Sequence, residues 1–498
     1  MHRPQSRTLD RPRDPSSRLL AWLPGLALML MLAPTAEAIW PFNRADTRPA
    51  LEERAQTLLS EAIRIVTVNP PGNEAALARR LAEILERADI EHALIPTPSR
   101  EGEPARAAIW ARLRGEGQRP ALVLLSHLDT VPARPEEWSV DPFAGEVRDG
   151  SIWGRGALDA KGVTVIHLLT LLELARADEP LDRDLVFLAT PEEETGGASG
   201  AGWIARERPE LFEGAGYLLT EGGGIQAPAG IDVQRPPIWG VSLTEKAPCW
   251  LELRAHGRAG HSAAPTDDAA VPRLIAALDR IRRVESPVRV LDQVAMMFEA
   301  LAPWAPSWDR EPFADLAHAL EQDETFRRRF LDDPSQNALV RNTISITVLE
   351  GASKTNVAPA QARAQLDARL LPGESCERFA ESLSALIGDP AIEIVELLSF
   401  PARASDLDTP LFRAIEALAL RQDPPGVVVP RMIGGFTDAH WFRELGLVAY
   451  GFVPRSLTRE EAERIHGIDE RVATQTLVES IERMLELVRT LDRIEGGD

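Results

Sequence analysis

Four short polar clusters, each at the end of an apolar run, carry residues able to hold metal ions. They are Ser126-His127-Leu128-Asp129, Gly156-Ala157-Leu158-Asp159, the triplet Glu192-Glu193-Glu194, and Thr220-Glu221-Gly222-Gly223. A fifth piece, Ile465-His466-Gly467, lies far downstream. Two histidines with several carboxylates offer the nitrogen and oxygen ligands that zinc takes. A pair of zinc ions roughly 3.5–4 Å apart needs a ligand touching both, and a carboxylate can bridge with its two oxygens. The candidate ligands are His127, Asp159, Glu194, Glu221 and His466. Asp159 sits in a loop bounded by Gly154, Gly156 and Gly162, where backbone can come close to an ion. Water held between metals is acidified, and Glu193 is placed to take its proton. Asp129, two residues from His127, is placed to fix the second ring nitrogen. Such a centre activates water, so the sequence predicts a hydrolase.

The elements that must position these groups alternate along the chain. Residues 48–63 and 73–88 read as amphipathic helices split by a Pro70-Pro71-Gly72 turn. The run 121–125 is continuously apolar, as in a strand buried on both faces, and 185–189, 217–219 and 448–453 are of the same kind. The stretch 163–177 has helical spacing. This order predicts an α/β fold, a mostly parallel sheet sandwiched by helices. Sites in such sheets form beyond the carboxyl ends of the strands, where His127, the acidic triplet and Glu221 fall. The middle of the chain differs. Segments 250–256, 342–349, 362–370 and 392–397 are strand-like, and 267–284 and 376–386 are helical. We therefore expect a smaller α+β domain at 241–399, inserted into a catalytic domain of 39–240 and 400–498. Within it, 287–340 reads as a mainly helical extra segment.

Residues 19–33 are apolar but short for a membrane span, follow Arg18, and precede Ala36-Glu37-Ala38. We read 1–38 as a secretory signal peptide, so the protein is expected to be secreted or periplasmic; the alternative is an uncleaved membrane anchor. The segment carries five Arg against two Asp and one Glu, so its removal takes the formal net charge from −21 to −23. That charge repels phosphate backbones and excludes nucleic acid as a partner class. Cys249 and Cys376 are the only cysteines, and one bridge or two thiols are equally compatible with them.

Six motifs together resemble the dinuclear zinc hydrolases that include aminoacylase, carboxypeptidase S, glutamate carboxypeptidase and succinyl-diaminopimelate desuccinylase. They are His127-Leu128-Asp129-Thr130-Val131-Pro132, Gly154 to Gly162, Glu193-Glu194-Thr195-Gly196-Gly197, Gly260-His261-Ser262, Asn356-Val357-Ala358-Pro359 and Gly434-Gly435-Phe436-Thr437-Asp438. The order of motifs and the extra segment are most similar to the carboxypeptidase S branch. The resemblance implies Asp159 as the bridge between two Zn2+ ions, with Co2+ or Mn2+ as substitutes. One ion would take His127 and Glu221, the other Glu194 and His466. It implies Glu193 as general base and His261 as an oxyanion donor that reaches a partner subunit's site in dimeric members. Asn356, Arg369, Gly434 and Gly435 would meet substrate, and the smaller domain would serve as lid and dimerisation surface. Arg369 suits a carboxylate because guanidinium binds it as a fork.

Three residues depart from the pattern. Glu192 stands where an Asp is usual, so a one-residue slip would make Glu192 the base and Glu193 the ligand. Glu221 stands where some members have Asp, and His440 where close relatives often have Arg. Lys161 reads as a support for its loop rather than a reactant. The expected activity is cleavage of an amide next to a free carboxylate, as in a carboxypeptidase or dipeptidase acting on a small peptide. The alternatives are an N-acyl amino acid hydrolase and, outside enzymes, a binding protein that lost catalysis. No Gly-x-Ser-x-Gly elbow occurs, which argues against a serine hydrolase.

Overall fold

A computed structural model describes residues 44–177, 180–227 and 235–496. The expected signal segment, 1–38, lies outside the described residues. Helices α1 (Arg44–Arg64) and α2 (Glu74–Arg87) lead into strands β1 (Glu91–Thr97), β2 (Arg106–Leu113) and β3 (Arg119–His127). A small hairpin, β4 (Glu146–Arg148) and β5 (Ser151–Trp153), precedes α3 (Lys161–Arg176). Then come β6 (Arg183–Thr190), β7 (Ala215–Thr220), β8 (Gly224–Gln226) and β9 (Ile238–Glu245).

The smaller sheet starts without a break in the chain. Lys246 alone separates β9 from β10 (Ala247–His256). β11 (Gly260–His261), β12 (Thr343–Glu350), β13 (Val357–Ala358), β14 (Gln361–Leu370) and β15 (Ile392–Ser399) follow. β10, β12, β14 and β15 form an antiparallel four-stranded sheet in the order β12-β14-β10-β15. Leu251, Leu253, Leu366 and Leu370 pack beneath the helices Ala270–Arg282 and Cys376–Ile387. Cys249 and Cys376 are disulfide-bonded, with Cα atoms 5.3 Å apart, and so tie β10 to the second of these helices. Five short α-helices and one 3-10 turn between Asp292 and Val340 close around Phe298, Phe326 and Phe330.

β16 (Val427–Ile433), β17 (Val448–Gly451), β18 (Ser456–Leu457) and β19 (Arg471–Ala473) complete the strands. The large sheet has ten strands in the order β1-β2-β6-β3-β7-β17-β9-β8-β18, with β16 paired to β9. Its centre, β6-β3-β7-β17, is parallel; β1, β2 and the β8–β9 pair run antiparallel at the edges. Alternation along β3 explains why the run is apolar throughout. Leu122 and Leu124 face α3 and the helices Pro410–Leu420 and Thr474–Gly496, while Val123 and Leu125 face Ile204, Phe212 and Phe442. Each such fully buried side chain contributes about 1.5–3 kcal/mol. From residue 48 onward the described residues form one compact unit. Among the described residues no helix is long and apolar enough to cross a membrane.

Candidate metal centre and substrate cavity

β6, β3 and β7 are neighbours, and their ladders level the carboxyl ends: His127 pairs with Thr190, and Leu124 with Leu219. His127 therefore emerges beside the turn holding Glu193 and Glu194 and beside Glu221. Asp159 and His466 reach the same place by another route. β19 pairs with β5, which lays the segment carrying His466 against the loop carrying Asp159. His127 Nε2 lies 2.9 Å from Asp159 Oδ1 and 3.2 Å from Glu221 Oε1. His466 Nε2 lies 3.1 Å from Asp159 Oδ2 and 3.3 Å from Glu194 Oε2. Asp159 thus presents one oxygen to each imidazole, and each imidazole also meets a second carboxylate. All five expected ligands come together.

Asp129 was expected to hold the second nitrogen of His127. The nearer acceptor is its own carbonyl, 3.1 Å from Nδ1, with Oδ1 at 3.4 Å. Its carboxylate instead accepts from the backbone N–H groups of Glu193 and Glu194, both at 3.1 Å, and from Asn69 Nδ2 at 2.8 Å. One buried residue thereby fixes the imidazole and the acidic turn together. Burial works to raise the pKa of Asp129, but His127 and Asn69 hold it below the usual carboxylate value.

The three glutamates point differently. Glu192 adopts φ 73°, a left-handed conformation, and its carboxylate accepts from Ser199 N at 2.5 Å and Thr195 Oγ1 at 3.2 Å. It locks the turn and does not line the cavity. Glu194 faces His466, and its other oxygen accepts from Val131 N at 3.2 Å. Glu193 lines the cavity with a carboxylate that takes no hydrogen bond from any described residue; His127 Nε2 is 4.0 Å away.

Sequence reasoning missed Glu470. Its side chain is fully buried and accepts four hydrogen bonds: from Arg155 Nη1 at 2.7 Å, and from the backbone N–H groups of Gly156, Leu158 and Asp159 at 3.0, 2.7 and 3.1 Å. Arg155 in turn donates to the carbonyls of His466 and Gly467, at 3.2 and 3.1 Å. The two residues clamp the Asp159 loop and the His466 segment into one piece. Gly156 permits this with φ +89°, where a Cβ would also stand 2.8 Å from Thr130. Arg455 was missed as well. It lines the cavity and donates to the Leu158 carbonyl at 2.7 Å. Its one sequence signal is its place just past the apolar run 448–453. Lys161, as expected, supports the structure: its buried Nζ donates to the carbonyls of Ala62 and Ile65 at 2.9 and 2.8 Å.

Crowded acids dominate the electrostatics. Burial, then Asp159, pushes Glu221 up to about 7. Burial also pushes Glu193 well up, with His127 opposing and Glu221, Asp438 and Glu194 adding to the rise. His466 is raised to about 10 by its hydrogen bonds to Asp159 and Glu194. His127 is raised despite its burial, chiefly by Glu221, Asp129 and Asp159. A site that draws protons onto two imidazoles is one that would draw divalent cations, and bound cations would reverse these shifts. The donor set fits two such ions: each imidazole with a private carboxylate, and Asp159 between them.

The cavity over this cluster has a volume of about 720 Å³. Its walls carry Trp250 and Arg369 from the smaller sheet, and Arg431, Gly435, Phe436 and Arg455 from the larger fold. Arg369 is in the cavity, yet its fork is engaged by Asp367, Nε to Oδ1 at 2.7 Å and Nη2 to Oδ2 at 3.1 Å. Gly435 lines the cavity and Gly434 lies beside it in sequence; a Cβ at either would meet nothing within 4 Å. His261 and Asn356 are elsewhere. They sit on the ribbon formed by β11 and β13, His261 in a separate recess with Arg258 and Lys354. The structure brings these two residues together with each other and not with the ligand set. His440 faces neither site. It is buried, stacks on Phe400 at 3.5 Å, and neither ring nitrogen finds a partner among the described residues.

Residues 123–490 match the sequence model of Peptidase family M20/M25/M40. The chain belongs to this family. An N-fatty-acyl-amino acid synthase/hydrolase PM20D1 of Xenopus tropicalis is 30% identical over 502 residues, covering 96% of this chain and 95% of the relative. A probable carboxypeptidase S-like 2 of Dictyostelium discoideum is 28% identical over 389 residues, covering 76% of this chain and 73% of the relative. Among solved structures, an M20 family metallo-carboxypeptidase, Sso-CP2 of Sulfolobus solfataricus, superposes with a TM-score of 0.69 at 20% identity, covering 88% of this chain and 99% of that one. This chain is thus an M20 family metallohydrolase of carboxypeptidase, dipeptidase or aminoacylase type, and the mixed α/β fold is that of the family's known structures.

Proposed function

We propose that this protein is an exported hydrolase holding two zinc ions, which cleaves an amide bond next to a free carboxylate in the manner of a carboxypeptidase or dipeptidase. One observation carries the reading: two imidazoles share Asp159, each with its own carboxylate, at the floor of a cavity that also holds arginines. His127, Asp159, Glu221, Glu194 and His466 would hold the ions, which, when bound, polarise a carbonyl and acidify water. Glu193 takes the proton of the attacking water and delivers it to the leaving amine. Its unpartnered carboxylate is free for that exchange. Asp129 keeps His127 and the Glu193 turn in register throughout.

His261 would steady the oxyanion in the cavity of a second copy, since it does not line the cavity of its own chain. The homodimer expected from the sequence is part of this proposal. A second reading, an N-acyl amino acid hydrolase, is favoured by the apolar wall of Ile225, Ile433, Leu457, Trp250 and Phe436. The name of the Xenopus relative points the same way.

The test is a substrate panel of dipeptides and N-acyl amino acids, offered to purified protein with and without zinc. We expect hydrolysis of substrates bearing a free carboxylate, abolished by a chelator and restored by zinc. Activity confined to substrates lacking that carboxylate, or indifferent to chelation, would overturn the proposal.

A further inference from the structure

Four arginines line the cavity; Arg459 is exposed and paired with Glu463, and the other three differ in what already holds them. Arg369 is forked onto Asp367 and lies over Trp250 and Phe436, 5.7 and 5.1 Å from the ring centres; its remaining Nη1 is closed off from solvent. Arg455 is held by the Leu158 carbonyl and balanced by the charges of Asp159 and Glu221. Arg431 has nothing. Among the described residues it makes no hydrogen bond and no ion pair, and none of its nitrogens is closed off from the cavity. Burial lowers its pKa, and no neighbouring carboxylate counters the drop.

The backbone around Arg431 is arranged for it. β16 runs parallel to β9, and the register breaks between Arg431 and Met432. The extra residue at the break is Leu243 on β9, so alternation along β16 is unbroken. Met432 goes to the cluster of Phe298, Phe326 and Phe330, while Arg431 and Ile433 line the cavity. On the facing strand stands Gly240, whose φ is ordinary. Any Cβ there would come within 2.4 Å of Arg431 Cδ and 2.9 Å of its Nη1. The glycine leaves the bed on which the guanidinium lies. An unpaired, partly buried guanidinium costs stability unless an anion meets it, and a substrate carboxylate matches its fork.

We propose that Arg431 is the group that binds the free carboxylate of the substrate and so sets the preference of this site for acids over amides. Arg369, spent on Asp367, serves instead to hold the aromatic wall. The proposal rests on the amide-hydrolase reading above.

Its test compares N-acetyl-leucine with N-acetyl-leucinamide, and Ala-Leu with Ala-leucinamide, on zinc-loaded enzyme. Arg431→Met should raise KM for the acids roughly 10- to 100-fold, the loss of a charged hydrogen-bonded contact, with kcat little changed. The amides should be cleaved as by wild type, and Arg431→Lys should recover part of the loss. Inhibition by leucine, but not by leucinamide, should weaken in parallel. Gly240→Ala, which displaces the guanidinium without removing it, should raise KM in the same direction and serves if Arg431→Met does not fold. An unchanged acid-to-amide ratio in Arg431→Met, or its loss only in Arg369→Met, would overturn the assignment of Arg431. A wild-type enzyme without preference for acids would overturn the functional reading itself.

Discussion

Glu470→Gln is the most searching perturbation of the proposed metal centre, because it changes one atom outside the ligand set. The two oxygens of Glu470 each take two donors: Oε2 takes Arg155 Nη1 and Gly156 N, and Oε1 takes Leu158 N and Asp159 N. A glutamine must put its NH2 at one of those positions, where it meets two donors and can accept from neither. Two hydrogen bonds to a charged group are lost, at about 1.5–3 kcal/mol each. Arg155 is also left without its buried counter-charge, and breaking such a pair costs about 3–5 kcal/mol. These overlap, so the expected destabilisation is about 4 kcal/mol, a large share of the ~5–15 kcal/mol that hold a domain. The damage falls on the loop that carries Asp159 and, through Arg155, on His466. Zinc affinity should therefore drop by roughly 10- to 100-fold, as for other groups that orient metal ligands. Competition against a chromogenic chelator reads the affinity, and urea unfolding reads the stability. A variant with wild-type affinity and wild-type unfolding would show that the clamp does not hold the ligands.

The other two predictions concern separate groups. Glu193→Ala should lower kcat by roughly 10²–10⁴-fold, the usual share of a general base. It should retain zinc and fold, because its carboxylate anchors no hydrogen bond; near-normal turnover with full metal content would sink the assignment. Lys246 is buried at the junction of the two sheets, donates to the Arg341 carbonyl at 2.7 Å and to Thr343 Oγ1 at 3.1 Å, and has its pKa lowered by burial, then by Arg369, to about 7. The unfolded lysine keeps its proton up to the ordinary value of 10.5, so between these values the unfolded state binds more protons. This group should thus add stability as pH rises from 7 towards 10.5, by at most about 1.4 kcal/mol per pH unit. Urea midpoints at pH 7 and pH 9 should show a flatter slope for Lys246→Met than for wild type, and equal slopes would refute it.

What the sequence disclosed follows from how local each signal is. His127, Glu193 and Glu221 were legible because a central parallel strand reads as an unbroken apolar run, and its carboxyl end is then a place one can point to. The strands of the smaller sheet showed because their alternation is clean, as in β14, where Ala362, Ala364, Leu366, Ala368 and Leu370 are buried. β1, β2 and the helices Pro410–Leu420 and Thr474–Gly496 were not assigned, although the apolar spacing of the last was there to be read. Asn69, Glu470 and Arg431 could not be found in this way. Glu470 acts across the β5–β19 pairing on residues more than 300 positions away, and Arg431 lies against Gly240 of the distant strand β9. Nothing adjacent to either residue in the chain announces its partner. The pairing of Cys249 with Cys376 was likewise undecided until β10 and its helix were seen side by side.

The C-terminal origin of His466, Glu470 and the helix Thr474–Gly496 also orders events during synthesis. The ribosome makes the acidic floor early and its closing imidazole nearly last. A nascent chain, or one truncated before residue 466, has three strand ends in hand but lacks the imidazole that meets Asp159 and Glu194. On the proposed function, the protein should therefore be born inert and gain hydrolytic competence only when β19, the last strand among the described residues, zips against β5.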